Sequence, residues 1–240
     1  MRKVINFQLI IIFVVLVFIS FCCIGYTAEE ILTWDNTFGG IEVDMANSII
    51  QTEDGGYALA GYTWSKGAGR QDFWVIKLYE DGSIEWDRTF GGSEADVIYS
   101  IIQTKDKGYA VARKTKSIAS GEKAWAIKLN TKGNKEWDNT FAKRTDDEIF
   151  SIIQTKDRGY VVCGYTESKG SGGYDAWIAK LDENGEIVWD KAFGGVEAEV
   201  ANSIIQTRDG GYALAGYTWS KGAGREDAWM IKLDEKGNLE

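Results

Sequence analysis

The sequence predicts an all-β fold built from four repeats of about 52 residues, and three observations support this prediction. First, a Trp-Asp pair opens four similar motifs, WDNTF, WDRTF, WDNTF and WDKAF, at Trp34, Trp86, Trp137 and Trp189. Second, the motif SIIQT, a Gly-Tyr pair and a Lys-Leu pair recur in the same order between these motifs. Third, no stretch after residue 28 shows a sustained helical period.

Each repeat contains the signals of four antiparallel strands. In the first repeat, Asp54-Gly55 and Asp81-Gly82 are favourable hairpin turns, because both residue types tolerate positive φ better than most. The strands predicted around these turns are Ser48 to Thr52, Tyr57 to Trp64, Asp72 to Tyr79 and Ile84 to Phe90. Four antiparallel strands in about 52 residues have the size and order of one β-propeller blade.

We place the blades at about residues 46–90, 98–141, 149–193 and 201–240. Counting back from the turns places Lys77 opposite Trp86, and equivalent Lys-Trp pairs recur in the next two repeats. We interpret these pairs as packing of the Lys stem on the ring, with an ion pair to a nearby carboxylate as the competing explanation. The fourth repeat lacks such a Trp opposite Lys232.

Residues 31–38 read as a fourth strand that has no blade of its own before it. They would complete the last blade, place Trp34 opposite Lys232 and close a four-bladed ring. The alternative is an incomplete part of a larger propeller.

The segments DGGYALAGYT and DFWVIKLYEDGSIEWDRTFGG resemble a secreted β-propeller repeat family that is named for seven-bladed propellers. They are similar, more loosely, to kelch repeats, but here the double Gly precedes the Tyr. The resemblance covers Glu30 to Glu240. It implies a secreted or cell-surface interaction protein, and it implies no catalytic residues.

The first 28 residues differ in composition from the rest of the chain. Arg2 and Lys3 precede an apolar run from Leu9 to Ile24, and Glu29 and Glu30 follow it. This order is typical of a signal peptide, and an uncleaved N-terminal membrane anchor is the alternative. Either one places residues 29–240, the predicted propeller, outside the cytoplasm, secreted or at the cell surface.

Composition narrows the function further. The chain has no His, which excludes the Ser-His-Asp triad, the Cys-His dyad and the HExxH zinc motif. Its net charge of −9 argues against a nucleic-acid partner and against anionic membrane surfaces. Beyond the first 28 residues Cys163 is the only cysteine, it takes the repeat position of Ala60, and we expect it to be a small apolar filler.

Four acidic residues share one repeat position, just before the first strand, namely Asp44, Asp96, Asp147 and Glu199. They could ring one mouth of a channel and hold Ca²⁺, which prefers oxygen ligands. We favour the alternative, in which each acid caps a Gly-containing turn through backbone N–H groups, and we therefore expect no cofactor.

The loop after the second strand offers the candidate binding residues. Trp64 and Trp219 occupy its first position in the outer repeats, where the middle repeats have Lys116 and Glu167. An exposed Trp in a Gly-rich loop that also contains an Arg suits sugar or peptide stacking; those arginines are Arg70 and Arg225. Ring closure would bring these two loops side by side, and Trp packing over its own loop is the alternative.

We therefore expect a monomeric, non-catalytic interaction scaffold that binds a glycan or a cell-surface protein through its rim loops. A propeller enzyme such as a lyase, a lactonase or a quinoprotein-like dehydrogenase is one alternative, and a structural spacer of the cell envelope is another. No repeat carries a unique cluster of catalytic residue types, which argues against the enzyme.

Overall fold

A computed structural model describes residues 33–117, 123–141 and 146–240. The predicted signal or anchor at residues 1–28, and Ile31 and Leu32 of the predicted closing strand, lie outside the described residues. In the described part of the chain, no helix is long and apolar enough to cross a membrane.

The described chain forms β-strands in four antiparallel sheets. Sheet I contains β1 (Asp44–Gln51), β2 (Tyr57–Thr63), β3 (Asp72–Leu78) and β4 (Ile84–Phe90). Sheet II contains β5 (Asp96–Gln103), β6 (Tyr109–Thr115), β7 (Lys123–Leu129) and β8 (Lys135–Phe141). Sheet III contains β9 (Glu148–Gln154), β10 (Tyr160–Thr166), β11 (Asp175–Leu181) and β12 (Ile187–Phe193). Sheet IV contains β13 (Glu199–Gln206), β14 (Tyr212–Thr218) and β15 (Asp227–Leu233).

The predicted all-β repeat of four strands is thus confirmed for the first three repeats. The bounds of β4 are as predicted, whereas β1 begins four residues earlier than the prediction, at Asp44. The turn at Asp54-Gly55 belongs to a five-residue loop rather than a two-residue one. Thr52 N donates to Gly56 O at 2.9 Å, and Asp54 caps the loop by accepting from Gly56 N at 3.1 Å.

The predicted cross-strand pairs of Lys and Trp are present. Lys77 lies opposite Trp86, but a bulge follows, so Leu78 faces Ile84 rather than Glu85. The Lys77 ammonium forms ion pairs with Asp54 at 3.0 Å and Glu85 at 3.2 Å. Our preference for ring packing was therefore wrong at Lys77, because a nearly buried ammonium requires charged partners.

The core consists of three seams between consecutive sheets. We call the side of each sheet that faces the next sheet its forward face, and the opposite side its rear face. At the first seam Ala58, Phe73 and Val75 of the forward face of sheet I pack against Ile101 and Ile127 of the rear face of sheet II. The seams between sheets II and III and between sheets III and IV repeat this packing. The first strands β1, β5, β9 and β13 contact one another in series and are the innermost strands.

The fourth strand of each four-stranded sheet is joined to the next sheet by its Trp. Trp86 donates through Nε1 to Thr131 O at 3.1 Å, and its ring packs edge-on against Tyr109 with centroids 5.5 Å apart. The ring also covers Gly133 in the turn between β7 and β8. Trp137 and Trp189 repeat the arrangement on the turns of Gly185 and Gly237.

The predicted closure of the ring within one chain is not found among the described residues. Residues 33–40 form no strand, and β15 pairs with β14 and, through one bridge, with Leu239. Lys232 pairs with Asp209 at 2.9 Å and with Glu240 at 2.8 Å, not with Trp34. Trp34 instead donates to Glu80 O at 3.0 Å and packs edge-on against Tyr57. The segment is held by the sheet that follows it, in the way that Trp86 is held by sheet II.

Candidate functional site

The four repeated acids are turn caps. Asp44 accepts hydrogen bonds from Gly40 N at 2.8 Å, from Ser65 Oγ at 2.7 Å and from Thr63 Oγ1. Asp96 repeats this geometry by accepting from Gly92 N and Ser117 Oγ, and Glu199 does so by accepting from Gly195 N and Thr218 Oγ1. These three carboxylates join the Gly-containing turn before the first strand to the loop that follows the second strand. Asp147 differs, because no Gly precedes it and its hydrogen bonds, from Glu167 N and Ser168 Oγ, both come from the loop after β10.

These contacts engage both carboxylate oxygens of Asp44 and Glu199, whereas Asp96 Oδ1 is buried and has no hydrogen-bond partner among the described residues. Within residues 33–117, 123–141 and 146–240, no three Asp, Glu, Cys or His residues lie together as a possible metal site. Burial alone would raise the pKa of Asp44, but hydrogen bonds from Thr63, Gly40 and Ser65 outweigh it and lower the pKa to about 2. The same balance lowers the pKa of Glu199. The capping interpretation accounts for these carboxylates.

A second set of acids, which sequence reasoning missed, faces two of these caps across the seams. Asp72 begins β3, and its Oδ1 and the Oδ2 of Asp96 both lie within 2.6 Å of the place that a Cβ on Gly91 would take. Asp175 and Glu199 meet in the same way over Gly194. Burial raises the pKa of Asp72, and the charge of Asp96 raises it further, against two backbone hydrogen bonds.

The middle seam breaks this pattern of facing acids. Lys123 is buried at the start of β7, the repeat position of Asp72 and Asp175, while Asp147 keeps the cap position. The signal in the sequence was a position that holds Asp in three repeats and Lys in one. It could be interpreted only once the seams were known, because it depends on two neighbouring sheets.

The predicted binding tryptophans lie at the surface of two different sheets. Trp64 and Trp219 follow β2 and β14, and each residue is 45% exposed. Their backbone nitrogens donate to Val43 O at 3.0 Å and to Ala198 O at 2.9 Å, which holds the start of each loop on the first strand. The rings therefore lie on an anchored backbone and remain open to solvent.

The predicted arginines share the exposure of these loops. Arg70 and Arg225 are exposed, and among the described residues neither guanidinium forms an ion pair. Sheets I and IV are separated by sheets II and III in the series of seams, so one chain does not join the two Trp loops into a paired surface. Each loop is a separate candidate contact.

Two clefts open at the seams on the side where the Lys-Trp pairs lie. The larger, about 460 Å³, lies between sheets II and III; Lys105, Asp106, Lys128, Glu136, Trp137, Gln154, Arg158, Tyr160, Glu183 and Asn184 line it. Lys128 is fully engaged there, by Asp106 at 2.9 Å, Glu136 at 2.8 Å and Leu129 O at 3.0 Å. An ammonium with three acceptors is a poor base or nucleophile.

One residue of the second repeat breaks the repeat pattern inside a seam. Arg113 takes the position that is Gly61, Gly164 and Gly216 elsewhere. Its guanidinium lies 3.2 Å from the centroid of the Tyr99 ring and pairs through Nη2 with Glu148 at 2.7 Å. Nε and Nη1 are buried and have no hydrogen-bond partner among the described residues. This asymmetric cluster was not predicted from the sequence.

Comparison with known proteins does not assign a family. No family model matches the chain, and no curated protein matches it. Among solved structures, a protein of unknown function from Bacteroides caccae is 15% identical with a TM-score of 0.36, and the match covers 81% of this chain and 79% of that one. Sqt1 from Chaetomium thermophilum is 13% identical with a TM-score of 0.44, and the match covers 81% of this chain and 44% of Sqt1.

Proposed function

We propose that this protein is a non-catalytic interaction scaffold of the β-propeller type that acts outside the cytoplasm. It binds a glycan or a surface protein through the loops that follow β2 and β14. The observation that carries the proposal is the exposure of Trp64 and Trp219, large apolar rings at one repeat position on anchored loops. An exposed aromatic ring is a typical anchor for a sugar face or a peptide side chain.

The surroundings of the two rings support a neutral or acidic partner. Each ring is followed by the loop sequence SKGAGR, whose Arg forms no ion pair among the described residues, whereas Lys66 of the first loop is already paired with Asp87. The net charge of −9 disfavours phosphate-rich partners at longer range.

The test is binding of the full chain to an array of glycans and to extracellular protein domains. For any ligand found, Trp64→Ala and Trp219→Ala are each compared with Glu167→Ala, the substitution at the same repeat position of the third repeat. Removing a central aromatic anchor costs about 2 kcal/mol, so each Trp variant at a contact loop loses about 30-fold in affinity. The control keeps wild-type affinity.

Two results would overturn the proposal. Wild-type affinity and unchanged stoichiometry in a Trp64→Ala/Trp219→Ala double variant would move the contact away from these loops, to the cleft between sheets II and III as the next surface to test. Absence of any ligand across both arrays would favour the structural spacer.

A further inference from the structure

Among the described residues, no sheet packs on the rear face of sheet I, which is an apolar surface. Ile49 is 60% exposed, whereas Ile101, Ile152 and Ile204, at the same repeat position, are 3%, 1% and 2% exposed. A cavity of about 330 Å³ opens on this face, and Phe38, Ile49, Leu59 and Ile76 are among its lining residues. Residues 33–40 cover only its outer part, through Trp34 and Phe38.

The forward face of sheet IV is open in the same way. Met230 is 69% exposed, although Val75 and Ile178, at the same repeat position, are fully buried at their seams. Ile205 on β13 is also exposed, and so are Ala215 and Ala228 on the neighbouring strands. All four residues are uncharged, so this face exposes to solvent the kind of surface that is buried at the three seams.

The two open faces are the two halves of a seam that the chain already forms three times. Residues 46–78 and 201–233 differ at only four positions, so the rear face of sheet I closely matches the rear face of sheet IV, which packs on sheet III. The forward face of sheet IV differs from that of sheet I at Phe73/Ala228 and Val75/Met230, but Ala228 matches Ala176, which packs at the third seam. Packing of the forward face of sheet IV against the rear face of sheet I would therefore continue an established interface.

We propose that a second copy of this chain covers both faces: the forward face of sheet IV of each copy docks on the rear face of sheet I of the other. The two contacts are identical, and together they close a ring of eight sheets. A head-to-tail contact that closes after two copies gives a finite two-fold dimer rather than a filament. Eight sheets lie within the four to eight blades that are typical of propellers.

The edge of β15 supports the same arrangement. Leu239 begins a fourth strand there by bridging Leu233, Glu240 N donates to Lys232 O at 3.2 Å, and no strand pairs with the rest of this edge of β15 among the described residues. Trp34 to Phe38 of the other copy, at the repeat positions of Trp86 to Phe90, would continue along this edge and place Trp34 opposite Lys232 across the interface. The Lys232 side chain is 29% exposed, against 3% for Lys77, and this contact would cover it.

Cross-linking distinguishes a second copy from closure within one chain. The background is the full chain, in a mild detergent, with Cys22→Ser, Cys23→Ser and Cys163→Ala, the last being the residue of the other three repeats. Ile49→Cys and Met230→Cys are made as separate single-cysteine proteins, mixed in equal amounts, and treated with a short bismaleimide. We expect a covalent dimer in the mixture and far less in either protein alone.

A control pair of cysteines and a double-cysteine protein show whether the cross-link joins two copies at the proposed faces. Val188→Cys, on the exposed strand β12 outside both faces, should give no covalent dimer when it is mixed with Ile49→Cys. A protein carrying both Ile49→Cys and Met230→Cys should form linked dimers. A link within single chains, persisting as the protein is diluted, would overturn the proposal in favour of intramolecular closure.

Light scattering tests the size of the assembly independently. We expect twice the chain mass of 26.7 kDa for the wild type, after subtraction of detergent, and a single chain for Met230→Lys with an unchanged circular dichroism spectrum. Val188→Lys should remain a dimer. Wild-type mass equal to one chain, or growth into open-ended polymers, would refute the two-copy ring. Neither outcome bears on the Trp64 and Trp219 loops, so this proposal and the proposed function fail separately.

Discussion

Replacing a turn glycine under a Trp ring should cost far more stability than replacing a turn glycine in the open. Gly185 lies at φ +81° between β11 and β12, and a Cβ there would be 2.7 Å from two carbons of the Trp137 ring. Gly210 lies at φ +94° between β13 and β14, and a Cβ there would meet nothing within 4 Å. The middle repeats have Lys107 and Arg158 at the position of Gly210, both at positive φ.

The loss of stability expected for each glycine variant can be worked out from its surroundings. Gly210→Ala should lose about 1 kcal/mol, the cost of a left-handed backbone for a residue with a Cβ. Gly185→Ala should lose that amount and also displace the Trp137 ring, because carbons in contact need about 3.5 Å. Displacement breaks the hydrogen bond from Trp137 to Glu183 O, about 1 kcal/mol, and the edge-on contact with Tyr160, about 1 kcal/mol. We expect a total near 3 kcal/mol.

The assay is urea unfolding followed by tryptophan fluorescence, with thermal unfolding as a second measure. A difference of about 2 kcal/mol corresponds to about 4–8 °C for a domain of this size. In a Trp137→Ala background, Gly185→Ala should cost only about 1 kcal/mol, because no ring remains to displace. Equal losses for Gly185→Ala and Gly210→Ala, or an unchanged loss in that background, would refute the role assigned to the ring.

Three further predictions concern charge. Asp44→Asn should lower stability at pH 7. The difference should disappear as pH falls from about 4 towards 2, because the folded pKa of Asp44, about 2, lies below its unfolded value. Urea midpoints at several pH values measure this difference, and a constant difference would count against the capping hydrogen bonds. Asp72→Asn should raise stability at pH 7. Burial and the charge of Asp96 raise the pKa of Asp72, so the wild type loses stability as pH rises through that pKa. No gain in stability at pH 7, or an equal gain at pH 3, would contradict this prediction. Asp157→Ala should cost several kcal/mol of stability, because it leaves the nearly buried Lys180 ammonium without an anion. Lys180→Met should cost about 1 kcal/mol, because Asp157 is solvated. A larger loss for Lys180→Met in the same unfolding assay would show that Lys180 is not the partner that depends on the ion pair.

Much of the fold could be predicted from the sequence because the repeats present the same signals four times. The position of β4, and the placement of Lys77 opposite Trp86, follow from an Asp-Gly turn and from alternation. The bulge after Lys77 could not be counted from sequence, because it inserts one residue without changing the pattern of side chains. The ion pair of Lys77 was only the competing explanation, and Asp54 could not be named as a partner because it lies in a different loop, 23 residues earlier.

The candidate sites were predicted less well than the strands. The exposure of Trp64 could be anticipated, since this position changes to Lys116 and Glu167 in the other repeats. The facing of Asp72 and Asp96 could not, because it arises only where two sheets meet. For the same reason, the absence of ring closure among the described residues could not be anticipated. Matching strands showed which edges were compatible, but whether they meet within one chain depends on the angle between consecutive sheets.

Because each Trp packs on the turn of the following sheet, the repeat in the sequence and the packed unit in the structure have different boundaries. Trp86 is encoded at the end of one repeat, yet the contacts that bury it belong to the next. A duplication of any 52-residue window, wherever its ends fall, therefore carries one Trp and one receiving Gly and leaves every junction intact. Such a chain can lengthen by duplication at arbitrary breakpoints. The near-identical first and fourth repeats are the kind of sequence that such duplication produces.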